Sequence, residues 1–368
     1  MTQRLPPSLT PLDTALAALL NGLAPLAPVE LPLIDAAGCI AAGTPLLAAH
    51  PPHDIASTDG WALRANDLVG ASSYSPLPLT KAPAWIEAGE AMPAGCDCVL
   101  DADAVEVSGP LVQVLAEAVP GQGVRRAGSD MTARTPAGAE GSPVGASDLL
   151  LARVAGLAKL GVRRPRLRIV NVPGATATMH MIAGLARSAG LDVEPREAGA
   201  RDEASIADAL DASSCDLLLT VGGSGVGRRD AAVLALARRG EVKAHGLALH
   251  PGRTAAVGRL GPVPVVALPG SPDAALAAWL ALVQPLVDRL TARRTRRRIT
   301  LPLARKIASS GGIAEIVLLA EERDAWTPLA VGEWPFHAMA GADAWLLVPG
   351  DSEGFAAGTP VDAYLIRE

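Results

Sequence analysis

At 368 residues the chain is too long for one compact core, and two to four domains are expected. Apolar residues make up 49% of it and aromatics only 3%, so its cores must be packed from Ala, Leu and Val. The formal net charge of −6 argues against a general nucleic-acid binder. The basic run Arg293, Arg294, Arg296, Arg297, Arg298 reads as a solvated interdomain linker. Cys39, Cys96, Cys98 and Cys215 show no metal spacing. Cys96 and Cys98 alternate along an expected strand and should share one buried face, a pattern suited to a reducing cytosol. The first twenty residues lack the features of a signal peptide. The apolar run Leu276–Val287 is interrupted by Gln284 and Pro285, so no membrane partner and a soluble, cytoplasmic protein are expected.

Along the chain, Thr10–Leu23 has leucines at helical spacing. From Pro45 to Val144, short β-like runs (Pro78–Leu79, Trp85–Ile86, Cys98–Leu100, Leu111–Val114) alternate with Pro and Gly, as in an extended β-rich module. Ser147–Gly156 resumes a helical pattern. A different rhythm starts at Arg166. Strands are expected at Leu167–Val172, Asp216–Val221, Leu247–Leu249 and Pro264–Leu268, and helices at Ala177–Ala189, around Ile206–Leu210, at Ala231–Arg239 and at Ala274–Leu290. This alternation implies βαβ units and a mainly parallel, doubly wound sheet. Residues 299–368 return to short β runs, as in a small β-barrel or sandwich. The expected domains are therefore 1–45 with 145–165, 46–144, 166–292 and 298–368.

Three turns in the α/β region could carry chemistry. Asp216–Val221 runs into Gly222-Gly223-Ser224-Gly225-Val226-Gly227 and then a helix. Glycines let the backbone approach a ligand, and a helix start offers free N–H groups to an anion. Arg228 and Arg229 could add charge, and Asp230 could hold a metal or cap the helix. The run is neither a P-loop nor a standard dinucleotide fingerprint, and the bland alternative is a purely structural turn. Leu268-Pro269-Gly270-Ser271-Pro272 is the second turn, with Ser271 an N-cap or a ligand hydroxyl and Pro272 suited to a first helical position. His250-Pro-Gly-Arg253 is the third, where Arg253 could make bidentate contacts with phosphate oxygens. In the first half, His50, His53, Asp54 and Asp59 sit close together but match no zinc pattern.

Taken together, these segments resemble the MoeA/gephyrin family of molybdopterin molybdenumtransferases over nearly the whole chain. Ser57-Thr58-Asp59-Gly-Trp-Ala62, Glu87–Val99, Gly121–Asp130, Thr220–Asp230, His250–Arg253 and Leu268–Pro272 are similar to six of its motifs in order. The resemblance implies a multidomain α/β plus β protein. A three-layer doubly wound α/β domain of MoaB/MogA type would join an elongated β-rich module and a C-terminal small β-barrel, and two such chains would form a homodimer. It implies adenylated molybdopterin as the pterin/nucleotide ligand, Mg2+ and molybdate. Asp59 and Asp130 would act catalytically, and together with Asp230 they would hold metal. Ser57, Thr58, Gly222, Gly223, Ser224, Gly225, Asp230, His250, Arg253, Pro269, Gly270, Ser271 and Pro272 would bind the pterin and adenylate.

The chain departs from the family pattern at Asn171-Val-Pro-Gly-Ala175, where an acidic segment is usual and no carboxylate stands. Thr176–His180 runs straight into the helix, His250 and Arg253 replace lysines, and Ala88 stands where Thr is common. Fewer acids should weaken metal-assisted hydrolysis. Two main readings follow: an enzyme that inserts molybdate into molybdopterin, or a catalytically weakened pterin-binding chaperone serving a client molybdoenzyme. A nucleotide or sugar-phosphate enzyme on the same scaffold is a third.

Overall fold

Every residue of Leu217–Val221 and of Val263–Leu268 is buried. Strands covered on both faces belong in the middle of a parallel sheet flanked by helices. The structure, a computed structural model, places them there; it describes residues 3–6, 8–108 and 111–366. Two compact units are present: Met1–Gly43 with Ala139–Gly145 and Gly161–Glu368, and Thr44–Gly138 with Ala146–Leu160.

The first unit contains a six-stranded sheet. In chain order its strands are β1 (Arg166–Asn171), β2 (Asp192–Glu197), β3 (Leu217–Val221), β4 (Glu241–His245), β5 (Ala256–Leu260) and β6 (Val263–Leu268). Their spatial order is β2-β1-β3-β6-β5-β4. The first four are parallel, and β5 and β4 complete the sheet antiparallel. Helices α1 (Thr176–Ser188), α2 (Glu203–Ala209), α3 (Ala232–Arg239) and α4 (Pro272–Thr291) cover its two faces. Strand alternation decides which face each side chain joins. Leu167, Ile169, Leu217, Leu219, Val266 and Leu268 pack with α1 and α4, whereas Val170, Leu218, Val263 and Val265 pack with α2 and α3. Each fully buried Leu contributes roughly 1.5–3 kcal/mol relative to exposure. This is the three-layer, mainly parallel domain that the sequence rhythm predicts.

The 20-residue α4 is long and apolar enough to span a membrane by length and composition, despite Gln284 and Pro285, but 72% of its apolar window is buried inside the protein. Here it is a core helix. Proline lacks an N–H and its ring crowds the carbonyl four residues back, so Pro285 would break a regular α-helix. The helix widens into a π segment at Trp279–Val283, which absorbs that misfit.

One expected strand joins a different sheet. Leu247–His250 leaves the α/β domain and pairs in parallel with Thr10–Pro11 on one side and Ala314–Glu322 on the other. It lies in a seven-stranded sheet that also holds Arg298–Pro302, Ala325–Ala330, Ala344–Val348 and Pro360–Leu365. The named strands pair along a path, and a further bridge between Leu303 and Trp326, with the Ala304 N–H donating to the Trp326 carbonyl at 2.9 Å, links the end of Arg298–Pro302 to Ala325–Ala330. The arginine run is more ordered than a solvated linker. Arg296 grips Asp288 through Nε and Nη2, both at 2.8 Å. Arg298 begins a strand and lies over Tyr364.

The second unit is built from short antiparallel sheets and the helix Ala146–Val154. Gly60 is required where Gly60–Leu63 passes between Ala84–Ile86 and Cys98–Leu100, because an added Cβ would lie 2.1 Å from the Leu100 carbonyl oxygen. The strand carrying Cys98 starts at Cys98, so Cys96 lies in the preceding turn. The two thiols enter different apolar clusters instead of sharing a face. Burial pushes the Cys98 thiol up to about 11.

Candidate functional site

The turns after β1, β3 and β6 all emerge at the carboxyl edge of the sheet, where open α/β sheets bind ligands. They enclose a pocket of about 230 Å³ lined by Gly174, Ala175, Arg201, Thr254 and the glycine turns at 222–225 and 269–271, with Asp230 at its wall. Backbone bonds splice the turns together. Gly222 N–H donates to the Leu268 carbonyl at 3.0 Å, and Val172 N–H to the Val221 carbonyl at 3.0 Å. Gly222 and Gly223 have φ of +91° and +71°, and a Cβ on Gly222 would lie 2.9 Å from that of Ala175. Only glycine combines that backbone angle with that approach.

Among the described residues, the backbone N–H groups of Gly223, Ser224, Gly225 and Val226 donate to no protein acceptor, and neither do those of Gly270 and Ser271. Runs of free N–H groups form anion-binding concavities. A cation completes the pocket. Arg201 donates to the Pro173 carbonyl at 2.9 Å and to Asp230 Oδ1 at 3.0 Å, while its buried Nε has no partner among the described residues. The hydroxyls of Thr220 and Ser224 are likewise buried without a partner.

The predicted residues fall into separate places. Gly222, Gly223, Gly225, Asp230, Pro269, Gly270 and Ser271 line the pocket. Ser224 is fully buried within the turn. Asp230 braces that turn instead of capping α3, because its Oδ2 accepts the Gly227 N–H at 2.9 Å. Ser271 occupies the N-cap position of α4 without a side-chain capping bond, and Pro272 opens the helix. His250 turns toward Glu315, Nδ1 to Oε1 at 3.5 Å, and the exposed side chain of Arg253 has no partner among the described residues. Neither lines the pocket, although Thr254 does.

Ser57, Thr58, Asp59 and Asp130 belong to the second unit. Asp59 Oδ1 accepts the Ala88 N–H at 2.7 Å. Asp130 receives Arg125 at 3.0 Å and the Ser129 hydroxyl at 3.1 Å. Nearby Asp54 accepts the Ala127 N–H and an Arg126 nitrogen, each at 2.8 Å, which hold its carboxyl below the usual range. Among the described residues no three His, Cys, Asp or Glu side chains converge to hold a metal ion. A carboxylate does reach the acid-poor segment after β1. Asn171 Nδ2 donates to both oxygens of Glu197, on the neighbouring strand, at 3.0 and 2.8 Å.

Three residues of this region escape sequence reasoning. Arg201 follows a Gly-Ala pair in the turn after β2, and its place on the same sheet edge was the signal available. Gln3 and His245, which hold the glycine turn from behind, left no local signal.

A family model described as "MoeA N-terminal region (domain I and II)" matches residues 10–156, and one described as "Probable molybdopterin binding domain" matches residues 141–289. The chain belongs to the MoeA family. It is 28% identical to molybdopterin molybdenumtransferase 2 of Mycobacterium tuberculosis, over 92% of this chain and 95% of that one. It is 25% identical to molybdopterin molybdenumtransferase of Synechococcus elongatus, over 92% and 94% of the two chains. The MoeA fold extends through the remaining C-terminal residues. A crystal structure of the molybdopterin biosynthesis MoeA protein from Pyrococcus horikoshii superposes with a TM-score of 0.70, at 22% identity, covering 97% of this chain and all of that one. The pocket described above falls within the segment matched as the molybdopterin-binding domain.

Proposed function

We propose that this MoeA-family chain is a molybdopterin molybdenumtransferase, acting in molybdenum cofactor biosynthesis by inserting molybdate into adenylated molybdopterin. The observation that carries this reading is the run of unpaired N–H groups at Gly223–Val226 beside Arg201. Free N–H groups, a guanidinium and the start of α1 together favour phosphate oxygens. The pocket volume of about 230 Å³ suits the phosphate-bearing end of the ligand more than the whole adenylated pterin. The names of the matched relatives support the transferase; neither is described as a chaperone, and that alternative gains no support.

In this reading Gly222, Gly223, Gly225, Gly270 and Ser271 bind and orient the phosphate end, and Arg201 offsets its charge. Water attacks the phosphoanhydride and AMP leaves; the two dithiolene thiols then bond to molybdenum, and one molybdate oxygen leaves as water with their protons. By motif position Asp59 and Asp130 are assigned to the molybdate side, and Ser57 and Thr58 to binding the pterin ligand. Asp59, Asp130 and Asp230 are the candidate magnesium ligands by motif position; each holds a protein donor, and phosphate oxygens of the ligand would complete the coordination. Glu197 is the acid available beside Asn171. Homodimer assembly belongs to the same proposal and would be read by sedimentation.

The test is a turnover experiment with purified protein, adenylated molybdopterin and molybdate. AMP release accompanied by molybdenum incorporation is expected. Tight pterin binding without AMP release or molybdenum uptake would refute the transferase reading.

A further inference from the structure

Gln3 lies 220 residues from the glycine turn in sequence, yet its side chain is 2% exposed and inserted behind that turn. Nε2 donates to the Gly223 carbonyl at 3.1 Å and also to the Gly225 carbonyl. Oε1 accepts the N–H groups of Val233 and Leu234, at 3.0 and 3.4 Å, in the first turn of α3. The carbonyl between those two, on Ser224, lies 3.0 Å from His245 Nε2. An oxygen there makes Nε2 the protonated nitrogen. Burial lowers the pKa of His245, which keeps the ring neutral.

Three successive carbonyls, on Gly223, Ser224 and Gly225, are thus drawn to buried side-chain donors, the first of them shared with the Ala232 N–H at 2.9 Å. A trans peptide points its carbonyl and the following N–H in opposite directions. Pulling those carbonyls toward Gln3 and His245 therefore aims the N–H groups of Ser224, Gly225 and Val226 away from them. These are the N–H groups left without protein acceptors. Gln3 is held in place by the segment it belongs to. Leu5 and Pro6 pack so closely on Gly246 that a Cβ there would meet them at 2.9 and 3.0 Å, and Thr10 N–H donates to the Gly246 carbonyl at 2.9 Å.

We propose that Gln3, with His245, is a positioning residue that presets the glycine turn as an anion cradle by turning its carbonyls away from the ligand. The proposal rests on the anion-pocket reading above. Gln3 does not touch the ligand; it acts through the turn's peptide planes. Its two ends have separable jobs, because the amide nitrogen orients the turn and the amide oxygen caps α3.

The test uses the full chain and AMP as probe, with affinity from calorimetry, melting temperature, and amide hydrogen exchange over residues 222–227. Gln3→Met keeps the side-chain length but removes both ends; AMP affinity should fall about fivefold to tenfold and exchange in the turn should rise. Gln3→Glu keeps the acceptor but sets a buried carboxylate against the Gly223 and Gly225 carbonyls, so it should recover neither AMP affinity nor melting temperature. Wild-type affinity in Gln3→Met overturns the positioning role while leaving the pocket reading intact. Recovered affinity in Gln3→Glu also overturns it, since capping alone would then suffice. A wild-type chain that takes up no AMP, with turn amides that exchange more slowly than in Gln3→Met, removes the anion pocket, and the positioning role falls with it.

Discussion

Arg201 and Asp230 meet at 3.0 Å, each from a different strand-to-helix turn, and each also holds a backbone group: Arg201 the Pro173 carbonyl of the turn after β1, and Asp230 the Gly227 N–H of its own turn. The pair ties the turns after β1, β2 and β3 into one wall of the pocket. The buried Nε of Arg201 has no partner among the described residues, which adds a side-chain donor to the free backbone N–H groups. Arg201→Gln should weaken AMP binding about tenfold, with a smaller effect on folding because the guanidinium is partly exposed. Asp230→Asn should keep the turn contact and bind AMP as well as the parent or better, since a negative charge is gone. Calorimetry on the two variants checks both; equal losses in both would show that the pair matters only as a brace.

The glycines of the turn are not interchangeable. An alanine at Gly222 adds a methyl 2.9 Å from the Ala175 side chain at a φ of +91°, so Gly222→Ala should destabilise the protein by about 1–3 kcal/mol. An alanine at Gly225 would instead push on Asp230 Oδ2, 2.5 Å away. Gly225→Ala should lower AMP affinity more than melting temperature. Denaturant melts beside binding isotherms would reveal the reverse order if the turn were merely structural.

Asp59 carries a charge and also a backbone contact to Ala88. Asp59→Asn retains an acceptor for that N–H while removing the charge. Molybdenum insertion should fall by about 100-fold or more with pterin binding little changed, if the carboxylate acts on molybdate as proposed. Unchanged insertion in a folded Asp59→Asn protein would take this residue out of the site.

Arg168 is 1% exposed and holds Glu194 and Asp211, both at 2.7 Å. The Ser213 backbone N–H and hydroxyl, with Arg168 adding to them, hold the Asp211 carboxyl at about 2, and the Arg168 hydrogen bond also lowers Glu194. A depressed carboxyl contributes stability above its unfolded pKa and loses it as pH falls through the folded value. Melting temperature should therefore drop as pH falls from the ordinary value of 3.8 toward about 2. Arg168→Met should be less stable at neutral pH and should show a shallower acid limb. Parallel curves for the two proteins would exclude Arg168 as the cause.

Local pattern made the α/β domain legible. Leu217–Val221 and Val263–Leu268 are apolar throughout because both faces are covered, and the glycine turns follow them directly. What the sequence hid depends on distant partners. Leu247–His250 has the same apolar character as a sheet-core strand, and only its pairing with Thr10–Pro11 and Ala314–Glu322 takes it elsewhere. His250 follows that strand to Glu315, away from the pocket. Gln3 had no helical or strand periodicity to mark it, and its role exists only through contacts 220 residues or more away. Asp230 is legible as a candidate beside the glycine turn and lies in the pocket wall, but its brace to Arg201 needs the turn after β2 to be placed on the same edge.

The central claim is that the Gly223–Val226 turn holds the anionic end of the ligand. Backbone amide NMR during a titration with adenylated molybdopterin tests it most directly. The account predicts large, saturable shifts at Gly223, Ser224, Gly225, Val226, Gly270 and Ser271, together with the Arg201 Nε–H signal. Saturable binding that leaves those amides unmoved would contradict it.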